Sequence, residues 1–174
     1  KEKNTHFGGT GGNIAYNLRL LGEEVILVGV AGNDFENYED WLKKNQINTR
    51  NIRIIDDTST AAAFITTDKK GNQITHFYSG AMDKTPKIDL KPYSKEISFA
   101  IIAPDNTQRM MNFVNQCTKL KIPYIFDPGQ SIPTLERNEL QEAIKNGMCL
   151  IVNEYELELI LDKLKITKKT LFEF

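Results

Sequence analysis

The chain has 174 residues, of which 40% are hydrophobic and 26% charged, and 22 basic against 23 acidic residues leave a formal net charge of −1. This is ordinary globular composition with length enough for a core and one domain as the default, and the near-neutral balance disfavours nucleic acid or an anionic membrane as partner. No run of 18 apolar residues is present to span a membrane, and Lys1-Glu2-Lys3-Asn4 does not open a secretory signal.

The first element is the stretch Phe7-Gly8-Gly9-Thr10-Gly11-Gly12-Asn13-Ile14, four glycines and an asparagine ahead of an amphipathic helix. Ile14, Ala15, Leu18 and Leu21 fall on one face of that helix, and Gly22 stands where a C′ residue would close it. Glycines remove every Cβ from the entry turn, so a ligand can lie against bare peptide while the first helical N–H groups point at it. Asn13 adds an amide that donates and accepts at once, which suits a vicinal diol. Two familiar glycine motifs are excluded. The dinucleotide pattern needs a glycine where Ile14 stands, and no Gly-Lys-Ser/Thr follows to make a P-loop.

Val25 to Val30 is a nearly continuous apolar run, as in a strand buried on both faces of a parallel sheet. Asn33 with Glu36 predicts a capping box, and Phe35, Tyr38, Trp41 and Leu42 mark the inner face of a helix running to about Asn45. From Arg50 to about Met82 the period changes to two. Ala61 to Thr67 and Gln73 to Tyr78 flank Asp68-Lys69-Lys70-Gly71-Asn72, a hairpin signal that reads either as a projecting flap or as an edge meander.

Strand and helix then alternate. Phe99 to Ala103 is a predicted strand, Asp105 with Gln108 a helix start, and Met110, Phe113, Val114, Cys117 and Leu120 its buried stripe. A strand over Pro123 to Asp127 leads through Pro128-Gly129 to a helix near Glu136 to Asn146; Cys149 to Val152 is a further strand and Tyr155 to Leu164 a further helix. This order argues a doubly wound α/β sheet, whose ligands lie beyond the carboxyl ends of the strands. Asn153-Glu154-Tyr155-Glu156 sits at such a place, where Asn153 with Glu156 three residues on makes a helix-capping arrangement. Asp127 is similarly placed but also suits a turn or cap. Cys117 and Cys149 read as reduced core thiols, which points to the cytosol, and His6 and His76 as surface or flap residues without metal-ligand partners. The close of the chain at Thr167 to Phe174 is helix-like without a stop signal, so the chain reads as a piece of a longer polypeptide.

Gly8-Gly9-Thr10-Gly11-Gly12-Asn13-Ile14-Ala15-Tyr16-Asn17-Leu18, then Leu21-Gly22 and Val28 to Phe35, resembles the first signature of the ribokinase-like (PfkB) carbohydrate kinases. Gln73 to Met82 looks like the lid-exit sequence of their adenosine and nucleoside kinase branch, and Asn153-Glu154-Tyr155-Glu156 is similar to the family's N-x-x-E motif. The resemblance implies an α/β, doubly wound, mostly parallel sheet with a small antiparallel β lid: residues 1–48 and 84–174 as an incomplete core and 49–83 as the lid.

It also implies an ATP-dependent kinase that phosphorylates a primary hydroxyl of a ribose-type substrate, adenosine or another nucleoside, with a free-sugar kinase or a non-catalytic binding module as alternatives. Gly8, Gly9 and Asn13 would grip the substrate, with Ala61 and the Ile101 to Pro104 strand end at the base. Asn153 and Glu156 would organise Mg²⁺ beside ATP, Glu156 acting through water. A cytoplasmic protein with a homodimer contact through the lid completes the expectation, without nucleic acid or membrane. Family members also carry a Gly-Ala-Gly-Asp turn whose Asp is the catalytic base. None occurs in these 174 residues, where Gly80-Ala81-Met82-Asp83 is only a superficial likeness, so no catalytic residue is assigned and the fragment alone is expected to be inactive.

Overall fold

In the computed structural model, which describes residues 4–171, the glycine-rich stretch passes into helix earlier than expected. Helix α1 spans Thr10–Leu20 with Gly9 as N-cap, so Gly11, Gly12 and Asn13 form its first turn rather than its approach. Glycine is a poor helix former, but these positions precede most of the intrahelical ladder, where that penalty is small and tertiary packing decides. At the other end the N–H groups of Gly22 and Glu23 bond to the carbonyls of Arg19 and Leu18, the paired closure of a Schellman motif with Gly22 at C′. Leu21, expected on the inner stripe, is the C-cap and stands exposed.

The chain forms two units, Lys1–Pro86 and Lys87–Phe174. In the first, α1 is followed by β1 (Ile26–Gly32), α2 (Glu36–Lys44), β2 (Asn48–Ile55), β3 (Ala62–Thr67) and β4 (Gln73–Tyr78). Strands β1 and β2 pair in parallel, with α2 as their crossover. Ala15, Ala31, Phe35, Leu42 and Ile47 make the buried core, with Tyr16, Val25, Leu27, Tyr38, Trp41 and Ile52 packed around it. Strands β3 and β4 form the expected antiparallel hairpin, Ala62 opposite Tyr78 and Thr67 opposite Gln73. Strand β2 pairs with β1, and among the described residues β3 and β4 form the antiparallel pair.

The capping box expected at Asn33 and Glu36 does not form. Asn33 Nδ2 donates to the Asp56 carbonyl instead, and α2 starts from Phe35 without a side-chain cap. The Asn33 backbone N–H is drawn away in the same direction, to the Thr58 carbonyl.

The second unit orders β5 (Ala100–Ile102), α3 (Thr107–Leu120), β6 (Tyr124–Phe126), α4 (Arg137–Asn146), β7 (Cys149–Leu150), α5 (Glu154–Leu164) and α6 (Lys168–Leu171). Strands β5, β6 and β7 are parallel neighbours in that order. Met110, Val114, Cys117, Tyr124, Phe126, Leu140, Ala143 and Ile160 fill its interior, and the Tyr124 hydroxyl donates to the Ala143 carbonyl. The α3 cap is Asn106, whose Oδ1 accepts from the Gln108 and Arg109 N–H groups. Asp105, the expected cap, instead holds Arg109 through both carboxylate oxygens, at 2.6 and 2.5 Å. Cys117 is buried as expected; Cys149 is exposed, because β7 is a two-residue strand at one end of the three-stranded sheet. The α/β class with parallel pairing and one antiparallel hairpin is as expected. No helix among the described residues is long and apolar enough to cross a membrane. The flanks Lys1 to Lys3 and Phe172 to Phe174, the latter expected as helix, lie outside the described residues.

Candidate functional sites, one in each unit

In the first unit the site is backbone. Gly9 has φ +85, a left-handed value that favours glycine, and as N-cap it offers no side chain to the orphan N–H groups of the first helical turn. A Cβ built on Gly8 or Gly9 meets nothing within 4 Å, so both face open space. Gly11 would bring a Cβ to 3.4 Å from Leu27 Cδ1, an ordinary contact, whereas a Cβ on Gly12 would lie 2.0 Å from the Tyr38 hydroxyl. Packing therefore requires glycine at Gly12 and backbone conformation requires it at Gly9, while nothing in the fold requires it at Gly8. Asn13 closes the first helical bond to the Gly9 carbonyl at 3.0 Å and its side chain is exposed.

Tyr38 was legible only as a core position of α2. Its hydroxyl donates to the Gly8 carbonyl at 2.7 Å, and its ring stacks on Phe7 with centroids 4.8 Å apart and planes 2° from parallel. Phe35 meets Tyr38 edge-on, and Trp41 packs against Phe7, Tyr16 and Tyr38. Burial pushes the Tyr38 phenol above its usual pKa, so it remains a donor at neutral pH. A tyrosine on an otherwise apolar helix face was the available signal, since a buried hydroxyl needs a partner.

Ala61 stands at the root of the hairpin, next to Thr60, whose N–H donates to Asp34 Oδ1 at 2.7 Å and whose Oγ1 accepts from the Gly32 N–H at 2.9 Å. Among the described residues no hydrogen bond joins Ala61 to the glycine turn.

In the second unit the carboxyl ends of β6 and β7 present Asp127, Asn153 and Glu156. Asn153 and Glu156 form a reciprocal capping box, each side chain accepting the other's N–H at 2.9 Å. One Glu156 oxygen, Oε2, is used in this way, and a carboxylate has a second oxygen to offer. Burial raises the Asp127 pKa, the negative charge of Glu156 raises it further, and the Gly129 N–H offsets part of the shift. Two carboxylates that repel each other at a strand's carboxyl end, with an amide oxygen nearby, suit a hard cation held partly through water. Among the described residues no group of three or more His, Cys, Asp or Glu is gathered for a metal.

Residues 1–171 match the pfkB family carbohydrate kinase description. A nucleoside kinase of Methanothermobacter thermautotrophicus is 31% identical over 172 residues, covering 94% of this chain and 54% of that protein. Among solved structures, the nucleoside kinase of Burkholderia thailandensis in complex with inosine superposes with a TM-score of 0.83 at 34% identity, over 95% of this chain and 56% of that one. The nucleoside kinase of Methanocaldococcus jannaschii, an archaeal member of the ribokinase family, gives a TM-score of 0.82 at 27% identity over 99% and 60%. The chain thus spans about half the length of the curated relatives it matches. A ribokinase-like α/β fold, a glycine turn entering its first helix and an Asn-x-x-Glu cap at a strand's carboxyl end agree with that match: the chain belongs to the pfkB family of carbohydrate kinases.

Proposed function

We propose that the polypeptide to which this chain contributes is an ATP-dependent kinase that phosphorylates a primary hydroxyl of a ribose-type acceptor, adenosine or another nucleoside. The observation that carries this reading is the bare backbone at Gly8 and Gly9, open to at least 4 Å, beside the exposed amide of Asn13. Such a surface admits a sugar edge closely and offers N–H donors and an amide to its hydroxyls. Support for a nucleoside comes from the relatives, which are nucleoside kinases at 31% and 34% identity.

On this reading Gly8, Gly9 and Asn13 hold the sugar diol, and the β3–β4 hairpin covers it, with Ala61 toward the base. Residues 1–48 and 84–174 act as core and 49–83 as lid. Asn153 and Glu156 hold Mg²⁺, Glu156 through water. Mg²⁺ bound with ATP supplies charge neutralisation on the transferring phosphoryl group, a reaction that depends on placement more than on covalent chemistry. Phe64, Ile74 and Tyr78 on one face of the hairpin, and Ile65 and Phe77 on the other, are exposed, which supports a homodimer contact through the lid. A cytoplasmic setting belongs to the same proposal.

A free-sugar kinase is the second reading, because backbone and one amide recognise a diol that ribose or fructose also carries. The test is a panel of adenosine, inosine, other nucleosides, ribose and fructose with ATP and Mg²⁺ and the full-length protein. Phosphorylation of a nucleoside in preference to free sugars is expected, and no phosphorylation of any acceptor ends the kinase reading. Residues 1–174 alone, lacking a Gly-Ala-Gly-Asp turn, are expected to turn over nothing.

A further inference from the structure

We infer that Tyr38 is a positioning residue for the acceptor: by holding the Gly8 carbonyl it aims the Gly9 N–H away from α2 and into the open space over the glycine turn. The inference rests on the acceptor-site reading above and goes beyond it in naming what holds that site in shape. A trans peptide is planar, with its C=O and the following N–H on opposite sides. No cis bond occurs among the described residues, so drawing the Gly8 carbonyl onto the Tyr38 hydroxyl at 2.7 Å turns the Gly9 N–H the other way. The turn itself is uncrowded, since a Cβ on Gly8 or Gly9 meets nothing within 4 Å, and no hydrogen bond donated by the Gly9 N–H is seen among the described residues.

A diglycine turn cannot hold this orientation by itself. Glycine has more backbone freedom than any other residue, and Gly9 already sits at φ +85. The Tyr38 ring is fixed independently of the turn by Phe35 at the N-cap of α2 and by Trp41 within it, and Phe7, the residue before the turn, stacks on it as well. A flexible peptide is thus tied to a stiff aromatic cluster by one hydrogen bond, and a donor that needs no reordering on binding raises affinity.

Tyr38→Phe in the full-length protein removes the hydroxyl and keeps the ring. The expected result is an acceptor KM raised roughly five- to tenfold, as the loss of one hydrogen bond of ordinary strength allows. The kcat at saturating acceptor and the KM for ATP should stay within about twofold, a split that general destabilisation does not produce. Amide exchange followed by mass spectrometry should quicken in the peptide containing Gly8 to Asn13. An unchanged acceptor KM, an unchanged exchange rate, or an equal rise in both KM values with a lowered Tm overturns the inference. If the wild-type protein phosphorylates no acceptor, the kinase reading fails separately, and the exchange measurement still decides whether Tyr38 holds the turn.

Discussion

Gly12 has no room for a side chain beside Tyr38, because a Cβ there would sit 2.0 Å from the phenolic oxygen and 3.2 Å from Cζ and the ring would have to shift. Gly12→Ala should therefore destabilise by about 1–3 kcal/mol as overpacking does, with little offset from the helix propensity of alanine because position 12 lies in the first turn of α1. Adding Tyr38→Phe removes the 2.0 Å contact and leaves the 3.2 Å one. The double variant should melt above Gly12→Ala alone, and additive losses in a thermal double-mutant cycle would contradict the contact.

Gly8 separates fold from function, since no neighbour and no positive φ demands glycine there. Gly8→Ala is expected to leave Tm within about 2 °C, the range of a neutral surface change. The same methyl group projects into the space proposed for the sugar, so the acceptor KM of the full-length enzyme should rise at least tenfold. A large Tm loss would show that the position is structural after all.

These two residues also mark what could and could not be read in advance. The alternation of strand and helix was legible because the apolar run Val25 to Val30 and the stripe Met110, Val114 and Cys117 follow the periods of strand and helix; the stripe is buried, whereas Val25 to Val30 is only half-buried where burial on both faces was expected. The hairpin was legible from its turn residues, and the Asn153–Glu156 box from its spacing. Local capping elsewhere was not: Asn33 and Asp105 each had the right residue three positions ahead, but each found a stronger tertiary or side-chain partner, in Asp56 and in Arg109. The Tyr38 contact joins positions 30 residues apart, and no periodicity encodes such a pairing.

The root of the hairpin is pinned by Asp34. Segment 58–60 is held by the Asn33 N–H on the Thr58 carbonyl, the Ala81 N–H on the Ser59 carbonyl and the Thr60 N–H on Asp34. Burial tends to raise the Asp34 pKa, but hydrogen bonds from Thr60, from its own N–H and from Ser59 outweigh it and leave the carboxyl below its usual 3.8. A lowered carboxylate value means stability that is complete above the unfolded pKa and is lost as pH falls through the folded one. Limited proteolysis between residues 61 and 79 should accelerate in wild type below about pH 4. Asp34→Ala should show the faster cleavage already at pH 7, and a cleavage rate independent of both changes would refute the pinning role.

The two cysteines should differ in reactivity by their surroundings. Burial pushes the Cys117 thiol up to about 11, where almost no thiolate exists at neutral pH, whereas Cys149 is exposed. One equivalent of a disulfide reagent should label Cys149 quickly in the folded protein, and Cys149→Ser should abolish that fast phase. Fast labelling that survives Cys149→Ser would place Cys117 at the surface.

Asn153 and Glu156 carry two assignments at once, a helix cap that is seen and a metal role that is proposed, and conservative substitutions can part them. Asn153→Ala removes the acceptor for the Glu156 N–H and should cost about 1 kcal/mol, a Tm loss of roughly 2–4 °C in a domain of this size. Glu156→Gln keeps a side-chain oxygen to accept the Asn153 N–H, so the box and the melting temperature should survive. What it removes is the formal charge beside Asp127, whose pKa should fall toward the usual carboxylate range once Glu156 no longer raises it. If Glu156 holds Mg²⁺ through water, the Mg²⁺ concentration giving half-maximal rate should rise at least tenfold in the full-length Glu156→Gln enzyme, with the ATP-independent stability unchanged. An unaltered Mg²⁺ requirement would leave the pair as a cap and nothing more.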